Sequence, residues 1–154
     1  MGACAGGFYT KEIRERGQRT GFRLIALDGP VGTLASVNIR SSYRVGRYRV
    51  HLQDLEQVGV EALRRAVEQP RVAVVVVDEI GKMELFSSAF RQVVWEALAS
   101  PKPVLATVMA RSQPWVDVVK ARPDATLIEV TVANRWALPD RILRWLREAG
   151  AIPA

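Results

Sequence analysis

One cysteine, Cys4, is all this chain has. It cannot close an internal disulfide or build a structural zinc site alone, which excludes a disulfide scaffold and a zinc finger. No apolar run exceeds the six residues 72–77, whereas a helix needs about 20 to cross a bilayer. The opening MGACAGGFYT has no basic segment leading into an apolar one, and it lacks the Ser or Thr of a myristoylation signal. Neither a secretory leader nor a lipid anchor is therefore expected, and the cytoplasm is the expected compartment. Repeats, low-complexity tracts and linkers are also lacking. Lysine is scarce as well, with Lys11, Lys82, Lys102 and Lys120 the only four.

What is present in excess is arginine. The net charge is +6, and Arg14, Arg16, Arg19, Arg23, Arg40, Arg44, Arg47 and Arg49 gather loosely in the first third. A positive balance favours anionic partners such as nucleotides, nucleic acid or phosphorylated surfaces. The basic residues are dispersed rather than clustered, so a solvated arginine-rich surface is the better account of them. At 154 residues, 49% hydrophobic and 25% charged, the chain reads as one globular domain able to bury most of its apolar surface.

The order of patterns along the chain predicts an α/β fold. Over residues 7–50, RTGFRLIAL and YRVGRYRVHL alternate apolar and polar positions, and ERGQ and DGPVG between them form turns, which predicts a β-rich hairpin region. Leu55, Val58, Ala62, Ala66 and Val67 then fall at helical spacing, with Gly59 costing about 1 kcal/mol and Gln69-Pro70 ending the helix. Residues 72–77, VAVVVV, lack polar alternation, as in a strand covered on both faces. A helix through Phe86, Phe90, Val93, Val94, Ala97 and Leu98 follows, then a second buried strand, VLATVM (104–109). A short helix near 115–120, a strand TLIEV from Thr126, and a last helix with Pro139 in its first turn complete the chain. Alternating helices and strands over 51–150 imply a three-layer sandwich on a mainly parallel sheet, with ligands at the carboxyl ends of its strands.

One of those strand ends is chemically loaded. The run VAVVVV stops in Asp78-Glu79, and the segment reads DEIGKMELFS. An aspartate there is the Walker B solution to holding Mg²⁺ beside a nucleotide's phosphates, since Mg²⁺ takes one or two carboxylates plus water and phosphate oxygens. A neighbouring glutamate can act as general base toward water. Two acids leaving a sheet for solvent and capping the next helix is the plainer alternative, and hhhhDE alone does not separate the two.

The wider motif does. DEIGKMELFS, with GFYTKEIRERGQRTGFRL upstream, VGRYRV and LATV between, and TVANR downstream, closely resembles the cancer-related nucleoside-triphosphatase family and its thermophilic homologues. The resemblance spans essentially the whole chain. It implies a P-loop NTPase-like sandwich with a β-hairpin insertion and hydrolysis of ATP, GTP and other nucleoside triphosphates to diphosphate and phosphate with Mg²⁺. By position it implies Asp78 as the Walker B metal aspartate, Glu79 as catalytic base and Thr107 as a polar sensor on the next strand. For Thr107, a threonine filling a half-polar strand slot is an equal alternative. Lys82 and Glu84 belong to the motif; Lys82 either neutralises phosphate or pairs with Glu84. Asn134 and Arg135 match the family's NR near the nucleotide base, though helix capping by Asn134 fits as well. Arg111, just past the sensor strand, could reach a phosphate or lie on the surface.

Against this stands one departure. No G-x-x-x-x-G-K-[ST] phosphate loop occurs in the 154 residues. GACAGG lacks the lysine and precedes a strand, and DGPVGT (28–33) reads as a hairpin turn. In the family, a strand, the phosphate loop and a helix precede GFYT, which begins here at Gly7. The expectation is an N-terminally shortened NTPase-like domain over 1–154, poorly active or inactive alone. A truncated record, a variant that has lost hydrolysis, and a partner chain supplying the loop are the three explanations. The rival from another class is a non-catalytic basic module binding nucleic acid or protein, suggested by the arginine-aromatic interleaving of SSYRVGRYRV.

Overall fold

The computed structural model describes residues 4–154. Seven strands form one mixed sheet in the order β4-β5-β3-β2-β1-β6-β7. They are β1 (Cys4–Glu15), β2 (Gln18–Ala26), β3 (Val31–Ser36), β4 (Arg44–Val45), β5 (Tyr48–Val50), β6 (Val72–Ile80) and β7 (Val104–Val108). β1 runs parallel to β6 and β6 parallel to β7. On the other side of β1 the pairings with β2, then β3, β5 and β4, are antiparallel. The hairpin region anticipated over 7–50 is thus a lateral continuation of the parallel core, with β1 belonging to both.

Two glycines make that junction possible. A Cβ on Gly7 would sit 2.0 Å from the Val76 carbonyl oxygen, and its φ is +108°. One on Gly6 would meet the Ala66 Cβ at 2.8 Å. β1 can lie against β6 and beneath the following helix only because neither residue has a side chain. Cys4–Gly7, the described part of GACAGG, therefore belongs to a strand. DGPVGT likewise contains a turn, closed by the Ala26 amide donating to the Pro30 carbonyl at 2.8 Å, with Gly29 at φ +123°.

Helices cover both faces. α1 (Leu52–Asp54) runs through a π-helical segment, Leu55–Val60, into α2 (Glu61–Glu68); α3 is Ser88–Ala99, α4 Pro114–Lys120 and α5 Leu138–Glu148. α2 and α3 enclose the main core, where Phe8, Leu24, Leu55, Leu63, Val75, Val77, Phe90 and Val94 are fully buried. The opposite face of β6 carries a much smaller cluster, in which Val74 packs with Leu146 and Ala151. Alternate valines of the VAVVVV run serve the two layers, which is why no polar residue interrupts it. The π-helical segment was not legible in the 3.6-residue spacing. It brings Gly59 against Leu24 and Phe8, where a Cβ would already be in contact, so Gly59 has a packing reason.

Two expectations are corrected. Residues 126–130 form no strand, and Leu127 and Val130 are 60% and 68% exposed. The outer edge of β7 pairs with no strand among the described residues: the segment does not join it, and alternation alone does not create a ladder. For the same reason β7 is not a buried strand: Ala106 and Thr107 are exposed and its remaining residues half-buried. α4 and α5 lie where the periodicity put them, α5 with a proline in its first turn.

Candidate active site

The parallel strands β6 and β7 stay in simple register up to Val77 opposite Ala106, and resume at Ile80 opposite Val108. Two residues of β6, Asp78 and Glu79, therefore stand against one residue of β7, Thr107. Such a bulge turns side chains out of their regular alternation and ends pairing locally. Here it places two acids at the carboxyl end of a strand buried up to that point. The Thr107 hydroxyl donates to Asp78 Oδ1 at 2.6 Å, at the short end for a hydrogen bond to a charged acceptor. The Met109 amide donates to the Ile80 carbonyl at 3.0 Å and reseals the ladder beyond the bulge. The Asp78–Glu79 peptide is cis.

The electrostatics of the acids differ by environment. Glu79 reaches solvent, yet its carboxyl is raised above the usual glutamate range, first by partial desolvation and then by the Asp78 charge. Glu84, at the start of a 3₁₀ turn (Glu84–Phe86), is only 2% exposed. Burial, with smaller contributions from the Glu79 and Asp78 charges, pushes it up to about 8. Its Oε2 accepts the Gly81 amide at 3.1 Å. Lys82 is exposed and makes no ion pair with Glu84 among the described residues, so of its two expected roles pairing with Glu84 is not seen. The depth of Glu84 was missed by the sequence reading. The available signal was its place between Met83 and Leu85-Phe86, an acid framed by apolar residues.

The other predicted residues have local partners. Asn134 Oδ1 accepts the Thr131 amide at 2.7 Å, and its Nδ2 donates to the Glu129 carbonyl at 2.7 Å. Its carbonyl receives the Ala137 and Leu138 amides at the start of α5. Asn134 thus organises its own loop, whereas the N-cap of α5 is Ala137 with no side-chain cap bond, so capping of that helix by the Asn134 side chain is not seen. The Arg135 guanidinium lies over the Trp136 ring at 5.3 Å, and Arg111 is exposed.

A metal at this site would find only hard oxygen donors: the second carboxylate oxygen of Asp78 and the Thr107 hydroxyl, at a half-exposed strand end. No cluster of three or more His, Cys, Asp or Glu able to enclose an ion occurs among the described residues. That donor set suits Mg²⁺, which keeps most of its shell for water and phosphate oxygens, and is too sparse for zinc or a calcium cage.

The arginine-aromatic region is internally engaged. Arg19 Nε donates to the Tyr48 hydroxyl at 2.8 Å, Arg47 donates to the Arg19 carbonyl, and Arg49 donates to the Ser41 carbonyl at 2.8 Å. Arg19 also stacks on Phe22 and Tyr48. Arg19 and Arg47 tie the start of β5 to β2, and Arg49 ties β5 to the loop before β4.

The family described as NTPase matches this sequence over residues 1–143. The chain belongs to this NTPase family. The nucleoside-triphosphatase THEP1 of Thermotoga maritima is 47% identical over 143 residues, 93% of this chain and 81% of that protein. The THEP1 of Methanocaldococcus jannaschii is 38% identical over 143 residues, again 93% of this chain and 80% of its own length. The crystal structure of THEP1 from Aquifex aeolicus matches at a TM-score of 0.81 and 38% identity, covering 92% of this chain and 83% of that one. A human cancer-related nucleoside triphosphatase, solved in solution, matches at 0.78 and 36%, covering 94% and 82%. The fold is that of these NTPases, and about a fifth of the NTPase relatives' length lies outside the match. No helix among the described residues is long and apolar enough to cross a membrane.

Proposed function

We propose that this chain carries the metal- and water-handling part of a nucleoside-triphosphatase site, with Asp78 as Mg²⁺ ligand, Glu79 as general base and Thr107 as the residue that orients Asp78. The observation that carries the reading is the bulge setting both acids against Thr107, with its hydroxyl bonded to Asp78 Oδ1 at 2.6 Å. That bond holds one carboxylate oxygen and leaves the other for a cation. Mg²⁺, when bound, offsets the charge of the phosphate oxygens.

Glu79 is exposed to incoming water and has a raised carboxyl. A higher basicity suits a group that must accept a proton from water. In the reaction, water oxygen bonds to the terminal phosphorus, its proton passes to Glu79, and the bond to the bridging oxygen breaks. Nucleoside diphosphate and inorganic phosphate leave. We assign exposed Lys82 to phosphate, and the assignment of Asn134 and Arg135 to the base rests on their match to the motif alone.

Phosphoryl transfer is catalysed almost entirely by positioning and charge stabilisation, and these 154 residues contain no glycine-rich loop ending in Lys-Ser/Thr. Hydrolysis by this chain alone is expected to be negligible. The test is phosphate release from ATP and GTP with Mg²⁺. It compares the chain, the chain joined behind a strand–loop–helix segment bearing G-x-x-x-x-G-K-[ST], and that fusion with Glu79→Gln. Activity only in the unmutated fusion supports the reading; undiminished activity after Glu79→Gln removes Glu79 from its role.

A further inference from the structure

The turn that leaves β6 is built around a side chain the reaction does not consume. Gly81 is buried, and a Cβ placed on it would lie 2.9 Å from Glu79 Oε1 and 3.1 Å from Glu84 Oε2. The Glu79 carboxyl therefore folds back across the Gly81 α-carbon, and the two carboxyl oxygens are no farther apart than the sum of those distances. Glu84 reaches Gly81 from inside the fold and takes its amide hydrogen at 3.1 Å. The Leu85 amide returns a bond to the Gly81 carbonyl at 3.1 Å, so both polar groups of Gly81 are held by the 3₁₀ turn. Ser87, 1% exposed, anchors the far end. Its hydroxyl donates to Glu56 Oε2 at 2.8 Å and accepts the Phe90 amide at 3.0 Å.

We infer that Glu84 is a positioning residue for Glu79: by holding the Gly81 amide from within, it fixes the turn after β6 and the direction in which the Glu79 carboxylate points. The inference rests on the reading of Glu79 as the base. The charges that act on Glu84 are acidic, Glu79 and Asp78, and it has no ion-pair partner among the described residues. Burial keeps its carboxyl neutral below about 8, so it binds the amide without adding a third negative charge beside the acids. A neutral amide side chain can replace that function, whereas an apolar one of the same volume cannot.

The test uses the 154-residue chain and three variants, read by NMR. Glu84→Gln keeps an acceptor at the same reach, Glu84→Met keeps the volume without one, and Glu84→Asp withdraws the oxygen by one methylene. The Gln variant is expected to retain a slowly exchanging Gly81 amide and a single Glu79 χ1 rotamer. In the Met and Asp variants Gly81 exchange should quicken at least tenfold and the Glu79 rotamers average, while amides of Phe8 and Phe90 stay protected. If Met fails to fold, Asp decides. A fixed Glu79 rotamer and protected Gly81 in a folded Met or Asp variant overturns the inference. In the fusion with a phosphate loop, Met should lower kcat about tenfold at unchanged KM, with Gln restoring it. Should Glu79 become mobile yet hydrolysis stay unchanged, it is the base assignment that fails, and the positioning role stands.

Discussion

Thr107 donates its hydroxyl hydrogen to Asp78 Oδ1 across the bulge between β6 and β7, at 2.6 Å. A residue that orients a metal ligand typically changes metal affinity or activity by about 10–100-fold when removed. In the phosphate-loop fusion, Thr107→Val is expected to lower Mg²⁺-dependent hydrolysis by about that factor, with Thr107→Ser restoring most of it. Because Thr107 is exposed, stability should shift by only about 0.5 kcal/mol. An unchanged Mg²⁺ dependence in the Val variant would mean that the hydrogen bond does not orient Asp78.

Glu84 gives stability a distinctive pH dependence. Its carboxyl rises from 4.5 to about 8 on folding, so between those values the folded state holds a proton that the unfolded state has released. Folding stability should therefore fall as pH rises from 4.5 to 8, by at most about 1.4 kcal/mol per unit, and level off above. Urea unfolding at pH 5, 6.5 and 8 measures it. Glu84→Gln should flatten the slope, and an equal slope in the variant would assign it to other groups.

Gly7 and Gly46 both have positive φ, but only Gly7 faces backbone. Gly7→Ala would drive a Cβ into the Val76 carbonyl and separate β1 from β6, at a cost of more than about 3 kcal/mol. Gly46→Ala meets open space and should cost about 1 kcal/mol. Chemical denaturation of the two variants should show that gap; similar losses would place the strain of Gly7 in φ alone.

The engaged arginines separate the NTPase reading from a basic binding module. Arg19→Ala and Arg47→Ala remove bonds to Tyr48 and to the Arg19 carbonyl, and each is expected to lower Tm by a few degrees. Affinity for single-stranded DNA, titrated against salt, should change little. A steep loss of affinity with both substitutions would revive the nucleic-acid reading.

Much of this was legible in the sequence, and the exceptions share one cause. The VAVVVV run announced a doubly covered strand because its valines face two layers, and DEIGKMELFS located the acids. Period and composition report what a side chain needs, not what its neighbours supply. TLIEV has the alternation of a strand but pairs with no strand among the described residues; VLATVM is apolar yet ends the sheet. Glu84 is a polar residue by composition and a core residue by position, a fact set by how the 3₁₀ turn folds under Gly81.

The outer edge of β7 has a practical consequence for handling the protein. VLATV bears no charge, and its outer backbone groups, unpaired among the described residues, belong to a molecule that also exposes Leu127, Val130, Val132 and Trp136. Natural sheets usually protect such edges with lysine, proline or a bulge. β7 itself contains neither lysine nor proline, so strand-to-strand association should rise with concentration, and Ala106→Lys is the simplest way to keep the protein dispersed.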